Sequence, residues 1–155
     1  MAASAAIAIR KATSADVAAI VAMLADDALG AKREDASLPL RDEYRNAFAA
    51  INTDPNQFLA VVEHDGRIIG CLQLSFIPGL SRMGQWRGQI ESVRIASDIR
   101  RGGIGRQMIE WAIEKCRERG CGLVQLTTDK SRSDALRFYQ SLGFTHSHEG
   151  LKLSL

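Results

Sequence analysis

The spacing of apolar and polar positions divides the chain into about ten elements. Ala5 to Arg10 alternates, with Ile7 and Ile9 on one face, and predicts a first strand. Thr13 and Asp16 stand three apart, as in a capping box. A helix is expected from Asp16 to Leu29, with Val17, Ile20, Val21 and Leu24 as its buried stripe and Gly30 as its stop. A polar loop, Ala31 to Leu40, leads to a second helix from Arg41 to Asn52, with Tyr44, Phe48 and Ile51 on one side. Asp54-Pro55-Asn56 is a turn signal. Gln57 to Glu63 and Arg67 to Phe76 read as strands around a His64-Asp65-Gly66 hairpin. A loop from Ile77 to Gly88 feeds another strand, Gln89 to Ile95.

Beyond it, Ile104, Met108, Ala112 and Cys116 recur every fourth residue, which predicts a long helix from Gly103 to Arg119. Gly120 and Gly122 end it, and a strand, Leu123 to Thr128, follows. A short helix, Ser133 to Leu142, is closed by Gly143. Phe144 to Ser147 and Leu151 to Leu155 read as a last pair of short strands. Antiparallel hairpin strands come first and a βαβ crossover second. That order implies a mixed α/β fold whose sheet carries helices on both faces.

Composition narrows this picture little. A chain of 155 residues, 46% hydrophobic and 25% charged, suits one domain, residues 1–155, with one core. The formal net charge is only +2, and charges of both signs alternate, which argues against a nucleic-acid surface. Basic residues do gather between Arg94 and Arg106, which suits a small polyanionic ligand. Cys71, Cys116 and Cys121 lack metal spacing, so no metal is expected, and reduced thiols in a cytoplasmic protein are. Met1 to Ile9 lacks the basic and apolar regions of a signal peptide, and no run is long enough to span a membrane.

The informative stretch runs from Glu91 to Met108. A β-branched strand enters a loop holding Arg100, Arg101, Gly102, Gly103 and Gly105, which opens the long helix. Backbone N–H groups there can face an anion, above all a phosphate. The nucleoside-triphosphatase loop needs Lys and Ser or Thr after its last glycine, but Arg106 and Gln107 follow Gly105. The dinucleotide fingerprint needs a small residue where Met108 stands. A plain left-handed turn remains the bland alternative.

Arg-x-x-Gly-x-Gly after a Val-x-Ile strand resembles the acetyl-CoA loop of the GCN5-related N-acetyltransferase (GNAT) superfamily. Downstream, Ala135-Leu136-Arg137-Phe138-Tyr139-Gln140-Ser141-Leu142-Gly143-Phe144 resembles that family's Ala-x-x-Phe-Tyr-x-x-x-Gly-Phe segment. The order of elements agrees along nearly the whole chain. The resemblance implies a central twisted, mostly antiparallel sheet of six to seven strands with about four helices. It also implies an acetyl-CoA-dependent N-acetyltransferase acting by direct attack in a ternary complex. Many members carry Asn where this chain has Arg132.

By the same resemblance Val93, Arg94 and Ile95 line the pantetheine arm, with the Val93 N–H as carbonyl polariser. Arg100, Arg101, Gly102, Gly103, Ile104, Gly105 and Arg106 hold the pyrophosphate. Tyr139 is the implied acid that protonates the leaving thiolate. Its other reading is a half-buried aromatic residue. Glu91 is the candidate base, sharing a face with Val93 and Ile95 if the strand is regular; its other reading is an ion pair with Arg87 or Arg94. Asp26, Asp27, Glu34 and Asp35 lie where a cationic amine would enter, and Trp86, with Arg82 and Arg87, offers alternative contacts. Small-molecule amines are favoured over protein as acceptors. Dimers are frequent among the proteins it resembles, so a homodimer is an open possibility. A non-catalytic acyl-CoA sensor or interaction domain on the same fold stays open as well.

Overall fold

The computed structural model describes residues 6–99 and 102–155. Five strands form one sheet in the order β1 (Ala8–Lys11), β2 (Gln57–His64), β3 (Arg67–Ile77), β4 (Arg87–Ile95) and β5 (Leu123–Leu126). The first four pair antiparallel, and β4 pairs with β5 in parallel across a helical crossover. The β2–β3 hairpin closes on Asp65 and Gly66, both at positive φ (50° and 74°), as the Asp-Gly signal requires.

Helix α1 (Val17–Ala25) and helix α2 (Asp42–Thr53) cover one face of the sheet. Ile20, Met23, Leu24 and Phe48 meet Val61 and Cys71 there. On the other face lies α4 (Ile104–Glu118), after a single turn, α3 (Ser81–Gly84), whose Arg82 and Met83 are left-handed. The α4 stripe of Ile104, Met108, Ile109, Ala112 and Cys116 is buried against Leu72, Leu74 and Ile90. Each large aliphatic side chain so buried is worth about 1.5–3 kcal/mol, so this face anchors the crossover that carries the glycine loop. Helix α5 (Ser133–Ser141) follows β5 and packs Phe138 and Tyr139 onto the same core.

Several expectations need correction. The sheet has five strands among the described residues, rather than six to seven. Phe144 to Ser147 and Leu151 to Leu155 form no strand, because no strand among the described residues pairs with them. Helix α1 stops at Ala25 rather than Leu29: Asp26 leaves helical geometry (ψ 38°), and Asp27 accepts the Gly30 N–H at 2.5 Å. A Cβ at Gly30 would lie 1.8 Å from the Leu24 carbonyl oxygen, so glycine is needed there for close approach. The Thr13–Asp16 box forms, but it opens a 3-10 turn (Ser14–Asp16) that leads into α1. The first strand begins at Ala8; Ala5 lies outside the described residues.

Candidate functional site

The site is built on a break in β4. Strand β4 pairs with β3 from Arg87 to Ile95, but with β5 only from Arg87 to Ile90, where Ile90 meets Leu126. Residues 91–95 therefore turn one backbone edge toward a gap between two neighbouring strands. The register on β3 slips between Cys71 and Gln73, and Ser92 sits in the left-handed region at φ 55°. This is a bulge, and it re-aims the side chains beyond it.

The bulge corrects the expected face of Glu91. Val93 and Ile95 pack on the α4 side with Ile104 and Met108. Glu91 pairs across the strand with Gln73, on the α1–α2 side, and is exposed. It makes no ion pair with Arg87 or Arg94 among the described residues. Ser92 and Gln73 close the floor of an apolar cavity of about 160 Å³, walled by Ile20, Tyr44, Phe48 and Cys71. A dry cavity of about 150 Å³ accommodates a benzene ring. Burial pushes the Cys71 thiol up to about 12, so it is a lining atom and not a nucleophile.

A charged cluster spans the gap. Arg132, at the start of α5, donates to the Asp27 carboxylate at 2.5 Å, and the Arg94 Nε lies 3.6 Å from the same oxygen. The Arg94 Nε is buried and has no hydrogen-bond partner among the described residues. The Gly30 N–H, and after it Arg132 and Arg94, hold the Asp27 carboxyl below its usual range despite burial. Two guanidinium groups share this one carboxylate, so the cluster carries a surplus positive charge. Tyr139 is half-buried between Phe138 and Phe144, with ring centroids 5.2 and 5.9 Å away. Burial raises its pKa above 10, while Arg94 and Arg132 pull the other way. Its hydroxyl is therefore protonated at neutral pH.

At the start of α4, Gly103 is left-handed (φ 72°), and the first helical bond runs from the Gln107 N–H to the Gly103 carbonyl at 3.2 Å. The amides of Gly103, Ile104, Gly105 and Arg106 thus have no acceptor within the helix. Gly105 faces Phe138 of α5: a Cβ there would stand 3.4 Å from the ring, at van der Waals contact. Arg106 lies exposed between Glu110 and Ser141. Gly102 precedes the cap; Arg100 and Arg101 lie outside the described residues. This array of free amides and arginine fits a pyrophosphate. A family model described as the acetyltransferase (GNAT) family matches residues 21–144. The chain belongs to the GNAT acetyltransferase family.

Its relatives sharpen the reading. It is 33% identical over 105 residues to an aminoalkylphosphonate N-acetyltransferase of Salmonella typhimurium, covering 68% of each chain. It is 33% identical over 90 residues to a glucosamine 6-phosphate N-acetyltransferase of Trypanosoma brucei brucei, covering 58% of this chain and 59% of that one. Among solved structures, a chain from Bacillus halodurans C-125, described as a transcriptional regulator, superposes with a TM-score of 0.95 at 51% identity, covering 97% of this chain and 100% of that one. With named N-acetyltransferases among its relatives and the family matched over most of its length, this GNAT protein is an acyltransferase.

The other expected acceptor contacts fall at different depths. Glu34 accepts the Tyr44 hydroxyl at 2.7 Å and so sits beside the apolar cavity. Trp86 packs against the core, and its carbonyl accepts the Gly122 N–H at 2.8 Å. A polar row outside the sequence motifs lies on the α1–α2 side of the sheet. Gln57, Ser75, Gln89 and Gln125 are cross-strand neighbours on β2, β3, β4 and β5. Gln57 Oε1 accepts from Gln73 at 3.0 Å and from Ser75 at 2.9 Å, and Gln125 donates to Gln89 at 2.6 Å. The signal was there: Gln73 and Ser75 on one strand, and Gln89 and Glu91 on the next, alternate with buried Leu74 and Ile90. Period-two polarity in a sheet with helices on both faces marks a polar row whose side chains must bond to one another, as the buried Ser75 does to Gln57.

Proposed function

We propose that this GNAT protein transfers the acetyl group of acetyl-CoA directly to a small primary amine within a ternary complex. The observation that carries this reading is the bulge at Ser92, which turns the backbone of residues 91–95 into the gap between β4 and β5. Val93, Arg94 and Ile95 would pair there with an amide-bearing arm. Gly102, Gly103, Ile104, Gly105 and Arg106, with Arg100 and Arg101, would hold the pyrophosphate through N–H groups and charge.

Acetyl-CoA supplies an activated thioester, and the remaining work falls to side chains. Glu91 accepts a proton from the ammonium through water, leaving a neutral amine. The amine nitrogen forms a bond to the carbonyl carbon, and the Val93 N–H stabilises the charge on oxygen. The carbon–sulfur bond breaks, Tyr139 gives its proton to the departing thiolate, and the remaining surplus proton on nitrogen passes to the tyrosinate so formed, which leaves a neutral amide.

For the acceptor, we infer an amine that also bears an anionic group such as a phosphonate or phosphate. Arg94 and Arg132 supply the surplus positive charge beside Tyr139, and two relatives are named for acceptors of that kind. The test is a panel of aminoalkylphosphonates, phosphorylated amino sugars, uncharged amines of matched size and a lysine peptide. Thiol release and product mass are read in parallel. We expect N-acetylated anionic amines at the highest kcat/KM. Thiol release with none of these amines acetylated would refute the reading.

A further inference from the structure

We propose that the acceptor carries, besides its amine and its anionic group, an apolar group the size of a phenyl ring that enters the cavity between α1, α2 and the sheet. This inference rests on the proposed transfer and names its substrate more closely. Its first ground is the packing of α2. Tyr44, Ala47, Phe48 and Ile51 fall on one side of that helix at helical spacing, yet none of its twelve residues is fully buried. Helix α4, with a stripe of the same kind, buries five. The four α2 side chains line the cavity of about 160 Å³.

The lining selects the occupant. Among the described residues no charged side chain lines the cavity, so an ammonium or phosphonate entering it would lose water without compensation. The amine and the anion therefore stay outside, and an apolar group is what the space can take. Its size matches a benzene ring, which a dry cavity of about 150 Å³ holds. The aromatic wall is also fixed beforehand. The Tyr44 hydroxyl donates to Glu34 at 2.7 Å and accepts the Asp35 N–H at 3.0 Å, which ties the ring to the loop between α1 and α2. A wall already ordered lowers the entropic cost of binding.

The position of the cavity makes that group part of the acceptor. The Cys71 thiol donates to the Ser92 carbonyl at 3.7 Å, so the cavity floor is tied to the bulge itself. Gln73, on the same floor, is the cross-strand partner of Glu91. Leu24 lines the cavity, and Asp27, three residues on, holds Arg94 and Arg132. A single small molecule can thus meet three surfaces: the Glu91 carboxylate with its amine, the two guanidinium groups with its anion, and the cavity with its apolar group.

The test is a series of 1-aminoalkylphosphonates that share amine and anion and differ in one substituent: methyl, isobutyl or benzyl. Thiol release gives kcat/KM for each, and calorimetric titration of the full chain saturated with coenzyme A gives each Kd. We expect benzyl to exceed methyl about 10–100-fold in both, which is what burial of an apolar side chain of that size supplies, with isobutyl between them. Ala47 is the exposed member of the α2 set, so Ala47→Phe puts a ring in the mouth of the cavity. That variant should bring the benzyl-to-methyl ratio below about threefold. If it misfolds, the wild-type series decides alone. A wild-type ratio near one, no binding by the benzyl compound, or a ratio that folded Ala47→Phe leaves intact would overturn the proposal. Tighter binding of benzyl than methyl with no amide formed from any member would refute the transfer reading and still support the subsite.

Discussion

Replacing Tyr139 by Phe removes one oxygen and leaves the ring contacts with Phe138 and Phe144 in place. The Tyr139 hydroxyl makes no hydrogen bond among the described residues, so its loss leaves no buried partner stranded. The stability change should therefore stay within about 0.5 kcal/mol, or about 1–2 °C in Tm for a chain of this size. Acetyl-CoA affinity should change less than about threefold. Turnover should fall by about 10²–10⁴, the usual worth of a positioned acid, or about 2.7–5.4 kcal/mol in the barrier. The assay is initial-rate thiol release at saturating acetyl-CoA and amine, beside a thermal melt and a titration with coenzyme A. The pH profile adds a second reading. Burial raises the Tyr139 pKa, so the acid stays protonated through neutral pH and wild-type activity should decline only above about pH 10. Equal turnover in the two proteins would remove Tyr139 as the acid. An alkaline limb unchanged in the variant would remove it too.

Three further predictions concern the frame around the site. Asp16 is buried and accepts from Arg10 at 2.7 and 3.1 Å and from the Thr13 N–H at 2.8 Å. Asp16→Asn should cost about 2 kcal/mol, near the low end for charge-assisted bonds because Arg10 is partly solvated, and lower Tm by about 4–8 °C. Arg10 depresses the Asp16 pKa, so the wild-type advantage is full above the unfolded value of about 3.9 and should fade as pH drops below it. Melts of both proteins across pH 2–7 check this. A Cβ on Gly88 would lie 2.2 Å from the buried Cys116 sulfur, so Gly88→Ala should destabilise by about 1–3 kcal/mol. The same change should cost much less in a Cys116→Ala background, which a urea double-mutant cycle measures. Arg132→Ala removes one of two cations beside Asp27. It should raise KM for an anionic amine at least tenfold and leave KM for an uncharged amine nearly unchanged.

The elements with strong periodicity were legible. Helix α4 repeats its apolar residues every fourth position, and it forms within a residue of the expected span because that stripe has a whole sheet face to cover. The Asp65-Gly66 hairpin was legible for a local reason, the positive φ both residues tolerate. Apolar spacing carries α1 four residues past its end, because that end depends on Asp27 capturing the Gly30 amide, a contact the spacing does not encode. The bulge at Ser92 leaves no mark in side-chain polarity, since serine is ordinary in a strand; Glu91 shares a face with Val93 and Ile95 only in a regular strand, and the bulge removes that condition. Asp27, Arg94 and Arg132 were each noted alone. Their union depends on folding across a separation of 105 positions, which no local pattern encodes. The alternation of Leu151 to Leu155 reads as a strand but forms none among the described residues, because alternation alone supplies no neighbouring strand to pair with.

In the proposed reaction the gap beside the Ser92 bulge delivers an acetyl thioester directly to an amine. Initial rates with both substrates varied, read with the mass of protein and product, test it most directly. Direct transfer gives intersecting double-reciprocal lines, one N-acetylated amine per thiol released, and no acetyl group retained on the protein when acetyl-CoA is supplied alone. Parallel lines together with a protein heavier by one acetyl group would contradict it.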